Sequence, residues 1–189
     1  MKESLLHIST RRLVLRPFLI TDHAKWRIGH ELGRARAGKF DLRRPSDQEL
    51  SRDGFRQTVL RWRKLALEDK VWVWGVFLKK DGSALGMVNI STIRRHRYGM
   101  ANLGYMIFPQ FRGRGFAPEA LSAVIKVAFK QLKFHRIEAA IDLDNRSSIR
   151  TARKAGMYRE GIKKLYWYQN GCWEDQVVYM AVPELFPHH

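Results

Sequence analysis

The stretch Phe108-Pro109-Gln110-Phe111-Arg112-Gly113-Arg114-Gly115-Phe116-Ala117-Pro118-Glu119 concentrates residue types suited to holding an anion. Small residues at Gly113, Gly115 and Ala117 let the backbone turn sharply and approach a ligand closely. Behind them Leu121, Val124, Ile125, Ala128, Phe129 and Leu132 fall on one helical stripe. The first amides of such a helix lack partners and its dipole is positive there, so the turn is a ready anion site. Arg112 and Arg114 add mobile positive charge. A pyrophosphate is the natural guest, although glycines between a strand and a helix also serve as plain turns. A dinucleotide fingerprint would need a third glycine within a repeating βαβ unit, and hairpins flank this turn instead. No Lys-Ser or Lys-Thr follows the last glycine, which excludes a Walker loop. Lone Cys172 excludes an internal disulfide and a cysteine-based zinc site, and the seven histidines are scattered, so no metal is expected.

The elements that must position this turn are legible in outline. Residues 10–17 read as a first strand ending at Pro17. Thr21 is a plausible cap for a helix from about Asp22 to Arg34, and 35–45 reads as loop. Ser46-Asp47-Gln48-Glu49 has capping-box spacing before a helix that buries Phe55, Val59, Trp62 and Ala66. Residues 71–78 and 84–93 form a hairpin about Lys80-Asp81-Gly82-Ser83, and 101–107 makes a fourth strand. Pro118 stands at an expected first helical position. Residues 136–142 read as a fifth strand and 147–155 as a short helix stopped by Gly156. A closing hairpin pairs 158–168 with 173–182 across Gln169-Asn170-Gly171. Helices interleaved with hairpins imply an α/β domain with a mixed sheet.

At 189 residues the chain suits a single domain, 1–189. No apolar run approaches the roughly 20 residues of a membrane span, so no membrane partner is expected. The start lacks the apolar core of a signal peptide, and the expected location is cytoplasmic. Lys and Arg outnumber Asp and Glu by 35 to 18, a net +17, which attracts anions such as nucleic acid, ribosomes, acidic proteins or a phosphorylated cofactor. The cations crowd Arg34, Arg36, Lys39, Arg43 and Arg44, and the loop Arg94-Arg95-His96-Arg97. These basic segments are expected to draw in an acidic or ribosome-bound acceptor, and a plain solvated basic surface is the alternative.

Arg112-x-x-Gly115-x-Ala117 resembles the acetyl-CoA pyrophosphate signature of the GNAT N-acetyltransferases, Q/R-x-x-G-x-G/A. Four further segments resemble the RimJ/RimL-like, ribosomal-protein-alanine branch of that family in the family's order. They are Arg11-Arg12-Leu13-Val14-Leu15-Arg16-Pro17, Asn102-Leu103-Gly104-Tyr105, and His135-Arg136-Ile137-Glu138-Ala139 with Asn145-x-x-Ser148 and Lys154-Ala155-Gly156-Met157, then Gly171-x-Trp173-x-Asp175. The resemblance runs from about residue 10 to residue 182.

The resemblance implies the GNAT fold, an α/β domain whose mixed, mostly antiparallel sheet splays between its fourth and fifth strands with helices on both faces. It implies acetyl-CoA as co-substrate, with backbone at Met106 and Ile107 pairing with pantetheine. Amides of Arg112, Gly113, Arg114, Gly115, Phe116 and Ala117 would hold the pyrophosphate. Asn145 and Ser148 would lie near the pantetheine arm and the sulfur, Ser148 as the group that donates to the departing thiolate. Asn145 is also a favoured helix cap, which is its alternative reading. Many relatives place a tyrosine acid where this chain has Ala152, and a Glu where it has Asn102. Glu138 is a candidate base; a water with no dedicated carboxylate is the other. Tyr105 reads as core and Cys172 as inert. The leading acceptor is a protein or peptide N-terminal α-amine, including a ribosomal one. The alternatives are a small-molecule amine, whose usual cations a +17 chain repels, and a ribosome- or RNA-binding protein on the same scaffold.

Overall fold

The computed structural model describes residues 7–33, 38, 40, 43, 45–169 and 171–186. Among them, strands β1 (Ile8–Ser9), β2 (Leu13–Arg16), β3 (Val71–Leu78), β4 (Ala84–Arg94), β5 (Met100–Ile107), β6 (Arg136–Asp142), β7 (Tyr158–Gln169) and β8 (Cys172–Ala181) form one sheet in the order β1-β2-β3-β4-β5-β6-β8-β7. All neighbours are antiparallel except β5 and β6. The helices are α1 (His23–Gly33), α2 (Asp47–Leu50), α3 (Arg52–Leu67), α4 (Phe116–Lys130) and α5 (Arg146–Lys154). The expected mixed, mostly antiparallel sheet forms. Two-residue β1 is too short to show alternation, so it was not foreseen, and the expected fourth and fifth strands are β5 and β6.

Strand alternation builds the layers. Trp72, Trp74 and Val76 of β3, Val88 and Ile90 of β4, and Ala101 and Leu103 of β5 face one core. There they meet Phe116, Ala120, Leu121, Val124, Ile125 and Ala128 of α4 and Ala152 of α5. Residues of opposite parity, Phe77, Met87 and Met106, face a second core with Trp26 of α1 and Phe55 and Val59 of α3. Helices therefore cover both faces of the sheet, as expected. The period-2 pattern of the strands decides which side chains each helix meets.

Local departures have physical causes. Thr21 does not cap the first helix; Ile20–Asp22 forms a 3-10 turn, in which Asp22 accepts from the Leu19 amide at 2.8 Å and pairs with Arg16 at 2.7 Å. The capping box forms, Glu49 N to Ser46 Oγ at 3.2 Å and Ser46 N to Glu49 Oε2 at 2.7 Å, but it caps only α2. Ser51 then caps α3 through the Gly54 amide at 3.1 Å. A Cβ on Gly54 would meet Gln48 O at 2.1 Å, so the two helices bend sharply only around a glycine. Pro118 sits two residues inside α4 rather than at its start, still within the turn whose amides lack helical partners.

The basic segments divide. Arg34, Arg36, Lys39 and Arg44 lie outside the described residues, as does Asn170, while Arg43 pairs with Glu49 at 2.8 Å. Arg95 is part of the framework: its Nε donates to Asp69 at 2.6 Å, its Nη1 to Leu132 O at 2.7 Å, and its guanidinium lies 3.6 Å from the Phe134 ring centre.

Candidate active site

β5 and β6 pair in parallel only at Met100↔Arg136, Ala101↔Ile137 and Asn102↔Glu138. Beyond those residues each strand stays bonded to its outer neighbour, β4 or β8, and the twisted sheet opens into a gap. Main-chain groups along the inner edge of β5 are thereby released from strand pairing. The close β4–β5 approach depends on Gly86, where a Cβ would meet Met106 O at 2.0 Å.

The mouth of the gap carries the glycine turn. Gly113 and Gly115 have φ of 77° and 75°, left-handed values that strain any side chain, and Gly115 caps α4. Open space surrounds Gly113. The first amides of α4 and its positive dipole end therefore lie beside a turn that carries no side chain at Gly113 and Gly115. Arg112 folds inward, its Nε donating to Ile107 O at 2.9 Å.

Arg12, from the loop before β2, braces this turn. Its Nη1 donates to Arg114 O at 2.9 Å, its Nε to Glu119 Oε2 at 2.7 Å and its amide to Glu119 Oε1 at 2.9 Å. Thr10 Oγ1 donates to the same carboxylate at 2.6 Å, and the Arg12 guanidinium sits 4.6 Å from the Phe116 ring centre. Burial alone would raise the Glu119 pKa, but hydrogen bonds from Thr10 and Arg12 hold it below the ordinary carboxylate value. The sequence places Arg12 and Glu119 more than a hundred residues apart, and no local pattern joins them.

The opposite wall is α5. Asn145 caps it, its Oδ1 accepting from the Ser148 amide at 3.1 Å and the Ser147 hydroxyl at 2.9 Å. The Tyr105 hydroxyl, reaching across from β5, donates to Ser148 Oγ at 3.0 Å. Between α5, the end of β5 and the turn lies a cavity of about 470 Å³. Met106, Ile107, Arg112, Gly113, Gly115, Phe116, Ala117, Asn145 and Ser148 line it, whereas Arg114 and Glu138 do not. Tyr105, Arg150, Thr151 and Lys154 line it without having been singled out as site residues. A signal for the last three exists in the sequence, polar residues three and four apart on one short helix.

Glu138 is buried in the sheet, with Lys163 Nζ at 2.9 Å and Arg136 Nε at 2.7 Å on its carboxylate. Burial raises its pKa, but those two partners outweigh it and hold the carboxyl below its ordinary value. Both oxygens are thus engaged by cations. Among the described residues no three His, Cys, Asp or Glu side chains gather as metal ligands, and no helix is long and apolar enough to cross a membrane. A larger cavity of about 600 Å³ lies between residues 16–21 and α3. Its walls are mainly apolar, among them Phe18, Leu19, Trp62 and Trp72, and offer no comparable hydroxyl and glycine-turn arrangement.

A splayed gap, a glycine turn at a helix start and a hydroxyl on the facing wall fit an extended thioester with a pyrophosphate tail, and comparison with known proteins agrees. The model of the family "Acetyltransferase (GNAT) domain" matches residues 12–158. The chain is 32% identical over 133 residues to "Probable N-acetyltransferase YjcK" of Bacillus subtilis, covering 70% of this chain and 74% of that one. It is 25% identical over 174 residues to the "[Ribosomal protein uS5]-alanine N-acetyltransferase" of Escherichia coli, covering 92% and 89%. RimJ of Mycobacterium smegmatis, solved with CoA-disulfide, superposes with a TM-score of 0.81 at 22% identity, covering 93% of this chain and 84% of that one. The chain belongs to the GNAT acetyltransferase family and is an acetyl-CoA-dependent N-acetyltransferase.

Proposed function

We propose that the acceptor is the α-amine of a protein N-terminus, a ribosomal protein being the leading class, and that the chain acts in the cytoplasm as one domain. The observation that carries this reading is the similarity, along 92% of the chain, to the uS5-alanine N-acetyltransferase. The net charge of +17 supports it as well, because cationic small amines are repelled while acidic protein surfaces are drawn in.

Acetyl-CoA supplies the acetyl group as a thioester, which an unprotonated amine attacks directly. The amides of Arg112 to Ala117 hold the pyrophosphate, and the released edge of β5 at Met106 and Ile107 holds the pantetheine arm. Ser148 donates its proton toward the sulfur; because its Oγ already accepts from Tyr105, that proton is directed away from the tyrosine. Asn145 keeps Ser148 in place through the helix cap and turns its amide nitrogen to the arm. Holding amine and thioester together accounts for much of the rate. A free α-amine has a pKa of roughly 8, so its proton leaves with modest help, through water rather than through Glu138.

The test is a panel of peptides differing in the first residue, incubated with acetyl-CoA and read by mass. Acetylation confined to α-amines, with preference among first residues, is expected. Acetylation of spermidine or lysine side chains in preference to every peptide would refute the reading.

A further inference from the structure

The outer edge of β3 outruns its neighbour. β2 pairs with it only from Leu13↔Leu78 to Arg16↔Gly75, and the chain then leaves through Pro17 for the 3-10 turn at Ile20–Asp22. β3 extends back to Val71 and stays paired with β4 there, at Val71↔Ser91. The direction of its free groups follows from their neighbours. Lys79 N donates to Arg12 O at 2.9 Å, toward β2. Leu78 N donates to Ser83 O at 2.9 Å and Lys70 O accepts from Thr92 N at 2.8 Å, both toward β4. Main-chain groups alternate in direction along a strand, so Val71 and Val73 turn their N–H and C=O groups outward, past the end of β2. No loop or turn among the described residues bonds to them.

The cavity of about 600 Å³ between residues 16–21 and α3 lies against this edge, with Trp72 and Val73 in its lining. Phe18, Val59 and Trp62 of the second core offer apolar contact on one face of the edge, and Trp72 of the first core on the other. Leu60 and Leu67 on α3 are 42% and 65% exposed, and Leu19 and Ile20 on the opposite bank are exposed as well. Among the described lining residues His7, Arg16 and Arg63 are basic and none is acidic. This cavity shares no lining residue with the one beside the glycine turn.

We propose that this groove docks an extended segment of a partner protein, about four residues of alternating apolar side chains flanked by acids, beside β3 where β2 has left it. Outward amide and carbonyl groups two residues apart recognise an extended main chain rather than a particular side chain. The apolar walls on the two faces of the edge receive side chains that alternate in the same way. A helix would leave Val71 and Val73 unpaired, because its own main-chain groups bond internally. Charge selects the flanks of the segment. The lining is basic and the whole chain carries +17, so an acidic segment is drawn in and a second copy of this chain is repelled.

The experiment selects a phage-displayed library of random octapeptides on the chain and measures end-blocked synthetic copies of the enriched peptides by calorimetry. The expected sequences alternate apolar residues between acids and bind one to a chain. Leu60→Glu/Leu67→Glu changes two exposed side chains, so the fold should be kept and acetyl-CoA affinity unchanged, while the peptides bind about tenfold more weakly or worse. N-methylation of alternate peptide amides tests the main-chain pairing. The set that faces β3 should weaken binding by about tenfold, and the other set by less than about threefold. Enrichment of no peptide whose binding depends on Leu60 and Leu67 would overturn the proposal. Equal effects of the two methylated sets would do so too, since they would leave only apolar adhesion. A dimer seen by sedimentation and lost in the glutamate variant would give the groove to a second copy. Peptide binding that appears only once residues 1–6 are removed would give it to the chain's own start. Either result overturns the partner reading.

Discussion

Ser148 sits at the junction of two hydrogen bonds, its amide donating to Asn145 and its Oγ accepting from Tyr105. An interaction that strengthens as sulfur gains charge acts on the transition state more than on the ground state. Ser148→Ala should therefore lower kcat by about 10- to 100-fold, with acetyl-CoA affinity within a few-fold. Tyr105→Phe, which only frees the serine to rotate, should cost roughly 3- to 10-fold. The double variant should be no slower than Ser148→Ala, because both act through one proton. Steady-state kinetics read by mass would check this; additive losses would show that Tyr105 acts by itself. Glu138 gives a separate test. With its pKa held below the ordinary 4.5, any limb it contributes to the pH–rate profile lies below that value. The acid limb of kcat/KM is expected instead near the acceptor amine, roughly pH 8, and Glu138→Gln should leave it there. Its depressed pKa contributes stability that is present above about 4.5 and lost as pH falls through the folded value. Glu138→Gln should accordingly melt lower at pH 7, and the gap should close on acidification. A limb near pH 6–8 that vanishes in Glu138→Gln would restore it as the base.

The glycine turn and α4 work as one element. The turn is left-handed at two glycines, the helix behind it buries Leu121, Val124 and Ile125, and Arg12 with Glu119 ties the pair to the loop before β2. At Gly115 an alanine would keep the amides but strain φ and bring its Cβ to 3.3 Å from Arg12 Nη2. Gly115→Ala should cost about 1–2 kcal/mol of stability and weaken acetyl-CoA binding only several-fold. Gly115→Glu adds bulk and negative charge at the pyrophosphate position and should abolish the rise in melting temperature that acetyl-CoA produces. The alanine variant separates strain from charge in a thermal-shift titration. Equal behaviour of the two would show that conformation, not anion binding, is what the glycine provides.

Across the whole molecule the basic charge is unevenly committed. The loop Arg94-Arg95-His96-Arg97 adjoins the start of β5, and the phosphate turn follows its end, about 24 Å away along the strand. That exceeds two screening lengths at 0.1 M salt, so the loop is poorly placed to steer anything to the mouth of the gap. Arg95 instead joins Asp69, Leu132 and Phe134. Arg95→Ala should lower stability by about 2 kcal/mol, or roughly 4–8 °C in Tm, by calorimetry. Arg94→Ala/Arg97→Ala should leave Tm within about 1 °C, since surface changes are usually worth under ~0.5 kcal/mol. A salt dependence of acetylation reproduced at low salt by that pair would return the loop to a role in acceptor capture.

Short-range physics made much of this chain readable. Alternation in 71–78 and 84–93, the stripe of α4, the Ser46–Glu49 box and the glycines at 113 and 115 each depend on residues within a turn or two, and each forms as its spacing implied, although the box caps the four-residue α2 and not α3. The segment order carried the family, and with it the open sheet and the co-substrate. Tertiary structure decided what distant residues do to one another. It brought Tyr105 to Ser148 across the gap, seated Arg12 on Glu119 beside the turn, closed Arg136 and Lys163 around Glu138, and drew Arg95 onto Asp69. A charged or hydroxyl side chain has the same local signature whether it meets solvent, an ion partner or a substrate. Its partner is fixed by the packing of elements far apart in sequence, which local spacing does not encode.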